Sequence, residues 1–122
     1  LCLMHLDEIK QTLGIDRILN DSSAWRSRQD GHGTQIDLVI ERADRNINIC
    51  EMKFSSTPYI INADYERRLR ERIAIFRAET ATRCSTRMTM VTTYGVLPGK
   101  HSAIVDDEVT LDNLFTVTDD TK

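Results

Sequence analysis

Two acids and a lysine interrupt segments that otherwise read as apolar strand. In the stretch GTQIDLVIERADRNINICEMKF, Asp37 stands on one β-prone run, and Glu51 and Lys53 stand on the next. Burying unpaired charge costs on the order of several kcal/mol, so such a trio needs a reason. Strand side chains alternate faces, which puts Glu51 and Lys53 on one face by local geometry alone. Asp37 joins them if it opposes Glu51. That register also sets Glu41 opposite Ile47 and requires an odd-length loop at 42–46 or a bulge. Val39, Ile47 and Ile49 then form an apolar floor on the same face. Neighbouring carboxylates repel, and a hard divalent cation resolves the repulsion. Oxygen donors without Cys or His favour Mg²⁺ or Mn²⁺, with the backbone carbonyl of Met52 as a further ligand candidate. An ammonium beside such an ion orients water and stabilises charge on a phosphate, which suits phosphodiester hydrolysis. The same residues admit a second reading, an Asp37–Lys53 salt bridge between strands with Glu51 at an exposed edge.

The elements that must position these groups follow from periodicity. Residues 3–13 carry Leu3, Leu6, Ile9 and Leu13 at helical spacing, with Gly14 as the stop. Residues 20–23 read as a turn and 24–28 as a short strand. A loop at 29–34, containing Gly31 and Gly33, leads into strands at 35–42 and 47–54 joined by the turn-forming ADRN. Asn62 is placed to cap a helix over 63–79 whose stripe is Tyr65, Leu69, Arg72, Ile73 and Phe76. Residues 87–94 read as a strand, 103–105 as a short strand, and 110–115 as a helical turn. The order predicts an α/β fold, a mixed sheet covered by helices on both sides.

Composition sets the frame. At 122 residues, 40% hydrophobic and 29% charged, the chain is one soluble domain's worth. No apolar run approaches the roughly 20 residues a membrane helix needs. The first residue is not Met and the opening LCLMHLDEIK reads as a working helix, so a fragment of a longer protein is expected. Cys2, Cys50 and Cys84 are scattered, which argues against a disulfide framework or zinc knuckle and for a reducing, cytoplasmic setting. His5, His32 and His101 form no HExxH pattern. A net charge of −3 is not that of a protein that coats nucleic acid. The charge is nonetheless polarised: Arg67, Arg68, Arg70, Arg72, Arg77, Arg83 and Arg87 crowd the middle, and acids dominate after Val105. The basic stretch suits either phosphate contact or a solvated helix face with Glu/Arg pairs.

With these residues in place, the chain resembles the PD-(D/E)xK nuclease superfamily. Asp37, followed fourteen positions later by Glu51-Met52-Lys53, looks like its D…(D/E)xK signature. The longer run QIDLVIERADRNINICEMKFS resembles the nuclease-like C-terminal domain of prokaryotic AAA-type ATPases. There a Tyr-containing helix, a TLVTTYG-like strand and an acidic VTLDDLF-like segment follow, matched here by residues 65–76, 89–95 and 109–115. The resemblance implies a restriction-endonuclease-like fold over residues 1–122 and an upstream ATPase domain on the same polypeptide. It implies Asp37 and Glu51 as metal-binding acids and Lys53 as the catalytic lysine. Glu8, with Asp7 beside it, falls where relatives carry another acid on the first helix. Tyr65, Arg72 and Arg68 fall on the helix where relatives contact phosphate. Ile36 stands where the signature has Pro, and no GxxxxGK[ST] occurs. DNA is the implied substrate, and a homodimer is compatible with cutting two strands. The alternative from another class is a nuclease-fold module that binds nucleic acid or a partner without cutting.

Three further features read as structural. Trp25 is expected at the edge of the core, and Cys50 is expected as a buried small hydrophobe on the face opposite Glu51. The glycines of DGHGTQ let the chain turn into the strand carrying Asp37. Thr92, Thr93 and Tyr94 end a strand and are candidates for lining a groove.

Overall fold

The computed structural model describes residues 6–27 and 34–110. Its centre is a hairpin of β2 (Gln35–Arg42) and β3 (Asn46–Lys53), both rich in β-branched residues that fit a pleated surface. The connecting turn holds three residues, Ala43, Asp44 and Arg45. Arg45 adopts a left-handed φ of 66° and donates its N–H to the Arg42 carbonyl at 3.2 Å. The odd turn fixes the register at Leu38 to Cys50, Val39 to Ile49, Ile40 to Asn48 and Glu41 to Ile47. This is the register whose continuation by one residue would set Asp37 level with Glu51.

From β3 the chain crosses over through α2 (Ala63–Thr80) and returns as β4 (Ser85–Thr92), parallel to β3 with Lys53 level with Thr92. Asn62 starts the helix as expected: its Oδ1 accepts from the Tyr65 N–H at 2.8 Å. Ala81, left-handed at φ 52°, ends it. β1 (Asn20–Arg26) and β5 (Asp107–Thr110) complete a five-stranded mixed sheet in the order β1-β2-β3-β4-β5.

The two faces of the sheet are covered separately. On one, α1 (Leu6–Thr12) lays Ile9 among Leu38, Ile40, Cys50, Val91 and Val109. On the other, α2 lays Tyr65, Leu69 and Phe76 over Ile36, Val39, Ile47, Ile49, Met88 and Met90. Each such aliphatic or aromatic side chain contributes about 1.5–3 kcal/mol by leaving water. Trp25 meets Phe76 edge-on, ring centroids 5.2 Å apart, at the border of this second core. Cys50 is fully buried on the α1 face. Ile36 and Val39 lie in the same cluster although three positions separate them. One extra residue in β2 accounts for this, since the pairing with β1 steps from Ser23–Val39 to Trp25–Ile36.

Two stretches differ from the sequence reading. Residues 20–23 are strand rather than turn: Asn20, Asp21, Ser22 and Ser23 pair with Arg42, Glu41, Ile40 and Val39. Pairing with a strong neighbour overrides their poor β propensity, and polar residues suit an edge. Residues 103–105 are not strand. Ser102–Ile104 forms a 3₁₀ turn, and the strand lies later, where Glu108 and Val109 pair with Met90 and Val91. The acids there tie down β4: Asp107 takes both Nε and Nη2 of Arg87, at 2.7 and 2.9 Å, and Asp106 accepts from the Met88 N–H at 2.7 Å. Asn48, fully buried, links to Thr89, Asp107 and Arg42. The expected helical turn at 110–115 falls outside the described residues except for Thr110, which ends β5. The loop glycines Gly31 and Gly33 also lie outside them. Among the described residues, no helix is long and apolar enough to cross a membrane.

Candidate metal and phosphodiester site

The face of β3 that meets α2 carries Ile47, Ile49, Glu51 and Lys53 in succession. The first two join the core and the last two lie at the end of the strand, where the helix begins. Glu51 is 4% exposed. Its Oε2 accepts from Nη1 of Arg72 at 2.7 Å, while its Oε1 is buried without a hydrogen-bond partner. Lys53 holds its ammonium 5.2 Å from the centroid of the Tyr65 ring. Tyr59 packs edge-on against the same ring at 5.6 Å. The Tyr65 hydroxyl is the second buried polar atom here that lacks a partner.

Electrostatics tie the group together. Burial pushes the Glu51 carboxyl above its ordinary value; the charge and hydrogen bond of Arg72 pull it back, Asp37 pushes it up, and Lys53 pulls it down. Burial, and then the charge of Glu51, raise the Tyr65 phenol well above its usual value. Asp37 acts on both groups and is itself exposed. Asp37, Glu51, Lys53, Tyr65 and Arg72 thus form one neighbourhood. This disposes of the Asp–Lys alternative: among the described residues no ion pair joins Asp37 to Lys53, and Glu51 is buried rather than at an exposed edge.

The remaining expected residues divide. Met52 turns its side chain to the α1 face, packed beside Cys50 and Val91, so only its backbone lies between Glu51 and Lys53. Arg68 is exposed on α2 and pairs with Asp64 at 3.0 Å, one turn away from Arg72. Glu8 makes no contact with the trio among the described residues. α1 packs through Ile9 on the opposite face of the sheet, and no hydrogen bond or ion pair joins Glu8 to Asp37, Glu51 or Lys53. Thr93 does line this end: its Oγ1 accepts from the Ser55 N–H at 3.2 Å. Thr92 is buried and accepts from the Gly95 N–H, so its hydroxyl serves the turn after β4. Tyr94 is exposed beyond it.

The pairing of Arg72 with Glu51 was not anticipated. Its signal lay in the helix stripe, where a lone Arg interrupts Tyr65, Leu69, Ile73 and Phe76 at the same period. A cation in an apolar stripe either reaches out to water or meets an anion on the sheet beneath it, and Arg72 does the second.

A hard divalent ion suits part of this donor set. The unpartnered Oε1 of Glu51 and the exposed carboxylate of Asp37 are oxygen donors with spare capacity on one face. Among the described residues no group of three or more His, Cys, Asp or Glu converges, so the oxygen donors they offer here are two carboxylates and backbone carbonyls.

No family model matches the chain, and no curated protein does. Among solved structures it is similar to the crystal structure of the protein of unknown function AF1548, with a TM-score of 0.60 and 14% sequence identity over 96% of this chain and 67% of that one. At that identity the likeness speaks for a shared α/β architecture alone.

Proposed function

We propose that this chain is a restriction-endonuclease-like domain of the PD-(D/E)xK kind, hydrolysing phosphodiester bonds in DNA with Mg²⁺ or Mn²⁺. The observation that carries the reading is Glu51: a buried carboxylate with one unpartnered oxygen, two residues before Lys53 on the same strand face and within reach of the charge of Asp37. Asp37, Glu51 and the Met52 carbonyl would hold the ion, which when bound polarises the phosphate and eases deprotonation of water. Lys53, steadied against the Tyr65 ring, orients the attacking water and offsets charge on the phosphate oxygens. The water oxygen bonds to phosphorus, the bond from phosphorus to one sugar oxygen breaks, and that oxygen takes up a proton. Arg72 and Arg68 supply the basic flank. Glu8 has no part in this assignment. On this reading the domain works in the cytoplasm, as part of a polypeptide that also carries an AAA-type ATPase, and a homodimer would serve two strands.

The test is cleavage of labelled single- and double-stranded DNA by the wild type, Lys53→Ala and Asp37→Asn, each with Mg²⁺ and with chelator. Cutting by the wild type alone, and only with metal, is expected. Full-rate cutting by Lys53→Ala would overturn the assignment.

One observation favours a second reading, a nuclease-fold module that binds without cutting. Glu51 already has a cation in Arg72, so the site is partly neutralised without metal. Association with DNA or with the ATPase domain in chelator, with no cleavage in Mg²⁺, would select it.

A further inference from the structure

The two oxygens of Glu51 are unequal, and the inequality has a direction. Oε2 is held by Arg72; Oε1 is equally buried and holds nothing. The Arg72 contact is a single Nη1–Oε2 bond, whereas Arg87 grips Asp107 through Nε and Nη2 together. Single-point guanidinium pairing lacks the added strength of the two-point fork, so it is the more readily exchanged. The arginine side chain is 30% exposed against 5% for the glutamate, so Arg72 has a way out to solvent and Glu51 does not. The backbone beneath Arg72 is pinned, because Tyr65, Leu69 and Phe76 are buried in the core from the same helix. Exchange therefore needs only rotation of one long side chain.

We propose that Arg72 occupies the cation seat at Glu51 in the metal-free protein, and that a divalent ion loads by displacing it. This rests on the metal-site reading above. Oε1 is a donor with no other partner, and being buried it is reached as the Arg72 side chain begins to swing aside. Once it is bound, two positive charges share one carboxylate, with the Lys53 ammonium on the same face, and the repulsion falls on the partner that can leave. A carboxylate buried without either cation would be costly. Arg72 thus keeps the site folded while empty, and it resists binding until metal is abundant enough to compete. Arg72 is here a positioning residue, acting through Glu51.

The experiment uses the intact chain. Side-chain Nε–H resonances of arginine are followed by NMR during titration with Mg²⁺, the Arg72 signal being assigned by its loss in Arg72→Lys. Manganese affinity is measured by calorimetry in the wild type and in Arg72→Met, which keeps the alkyl stem. Glu51→Gln, checked for folding by circular dichroism, gives the reference for a released arginine. Expected are an Arg72 signal that moves on Mg²⁺ saturation to its position in Glu51→Gln, and Mn²⁺ bound on the order of tenfold more tightly by Arg72→Met, as when the binding-competent state rises from about a tenth of the population to all of it. Metal binding that leaves the Arg72 signal in place overturns the exchange and spares the metal site. Absence of binding in both proteins at millimolar Mn²⁺ overturns the metal site and the exchange with it.

Discussion

The Lys53 ammonium lies over the ring of Tyr65, 5.2 Å from its centroid, so the residue assigned to catalysis is steadied by the helix that follows it. The contact draws on the ring and not on the hydroxyl, which is buried and unpartnered. Tyr65→Phe should therefore keep stability or raise it by up to about 1 kcal/mol in urea unfolding, because an unsatisfied polar atom is removed. Tyr65→Ala should lose about 3–5 kcal/mol, as other buried aromatics do. A substantial loss in Tyr65→Phe would show that the hydroxyl has a partner in solution.

Glu51 gives stability a specific dependence on pH. In the unfolded chain it titrates near 4.5; in the folded protein burial outweighs Arg72 and the value is higher. Between the two values the folded state holds a proton that the unfolded state has released. Stability therefore falls as pH rises through that window, and the loss is complete above the folded value. Glu51→Gln cannot titrate, so its Tm relative to the wild type should climb over this range. A difference that shrinks with rising pH would mean that Arg72 more than offsets burial.

Metal binding separates the two acids from the lysine. Calorimetric titration of Mn²⁺ should show binding in the wild type, none in Asp37→Asn/Glu51→Gln, and retained binding in Lys53→Ala. Since Glu8 lies on the α1 side of the sheet, Glu8→Gln should bind as the wild type does. A loss in Glu8→Gln comparable with that of the double variant would show that α1 reaches the site after all.

The positioning helix can be weakened at its start and in its middle. Asn62→Ala removes the side chain that caps the Tyr65 N–H and should cost about 1 kcal/mol in chemical denaturation. Phe76→Ala should cost about 3–5 kcal/mol. It should also shift the emission of Trp25, the chain's single tryptophan, whose ring meets Phe76 edge-on. Unchanged emission in Phe76→Ala would contradict that contact.

Much of the site was legible because it is local. Glu51 and Lys53 share a face by period two, and the odd turn at Ala43–Arg45 sets the expected β2–β3 register from Glu41–Ile47 to Leu38–Cys50. Asn62 and the stripe of α2 were readable from capping and period 3.6. What could not be read depended on partners distant in sequence. The strand character of Asn20 to Ser23 comes from β2, and that of Glu108 and Val109 from β4. The Arg72–Glu51 pair spans 21 positions and exists only because the crossover lays α2 over β3. The place of Glu8 was not legible for a related reason, since a helical acid says nothing about which side of a sheet its helix will take.

The extra residue in β2 has a consequence for how such a chain can change. By strict alternation, Ile36 and Asp37 would face opposite ways, and one strand end would have to choose between sealing the core and presenting an acid. With the irregularity, Ile36 sits in the cluster under α2 while its exposed neighbour Asp37 still brings its charge to bear on Glu51 and Tyr65. Loss of one residue between Ile36 and Val39 would force that choice again. A lineage that shortened β2 by a single codon could keep its fold or its acid, and the two outcomes would differ in chemistry while remaining nearly identical in sequence.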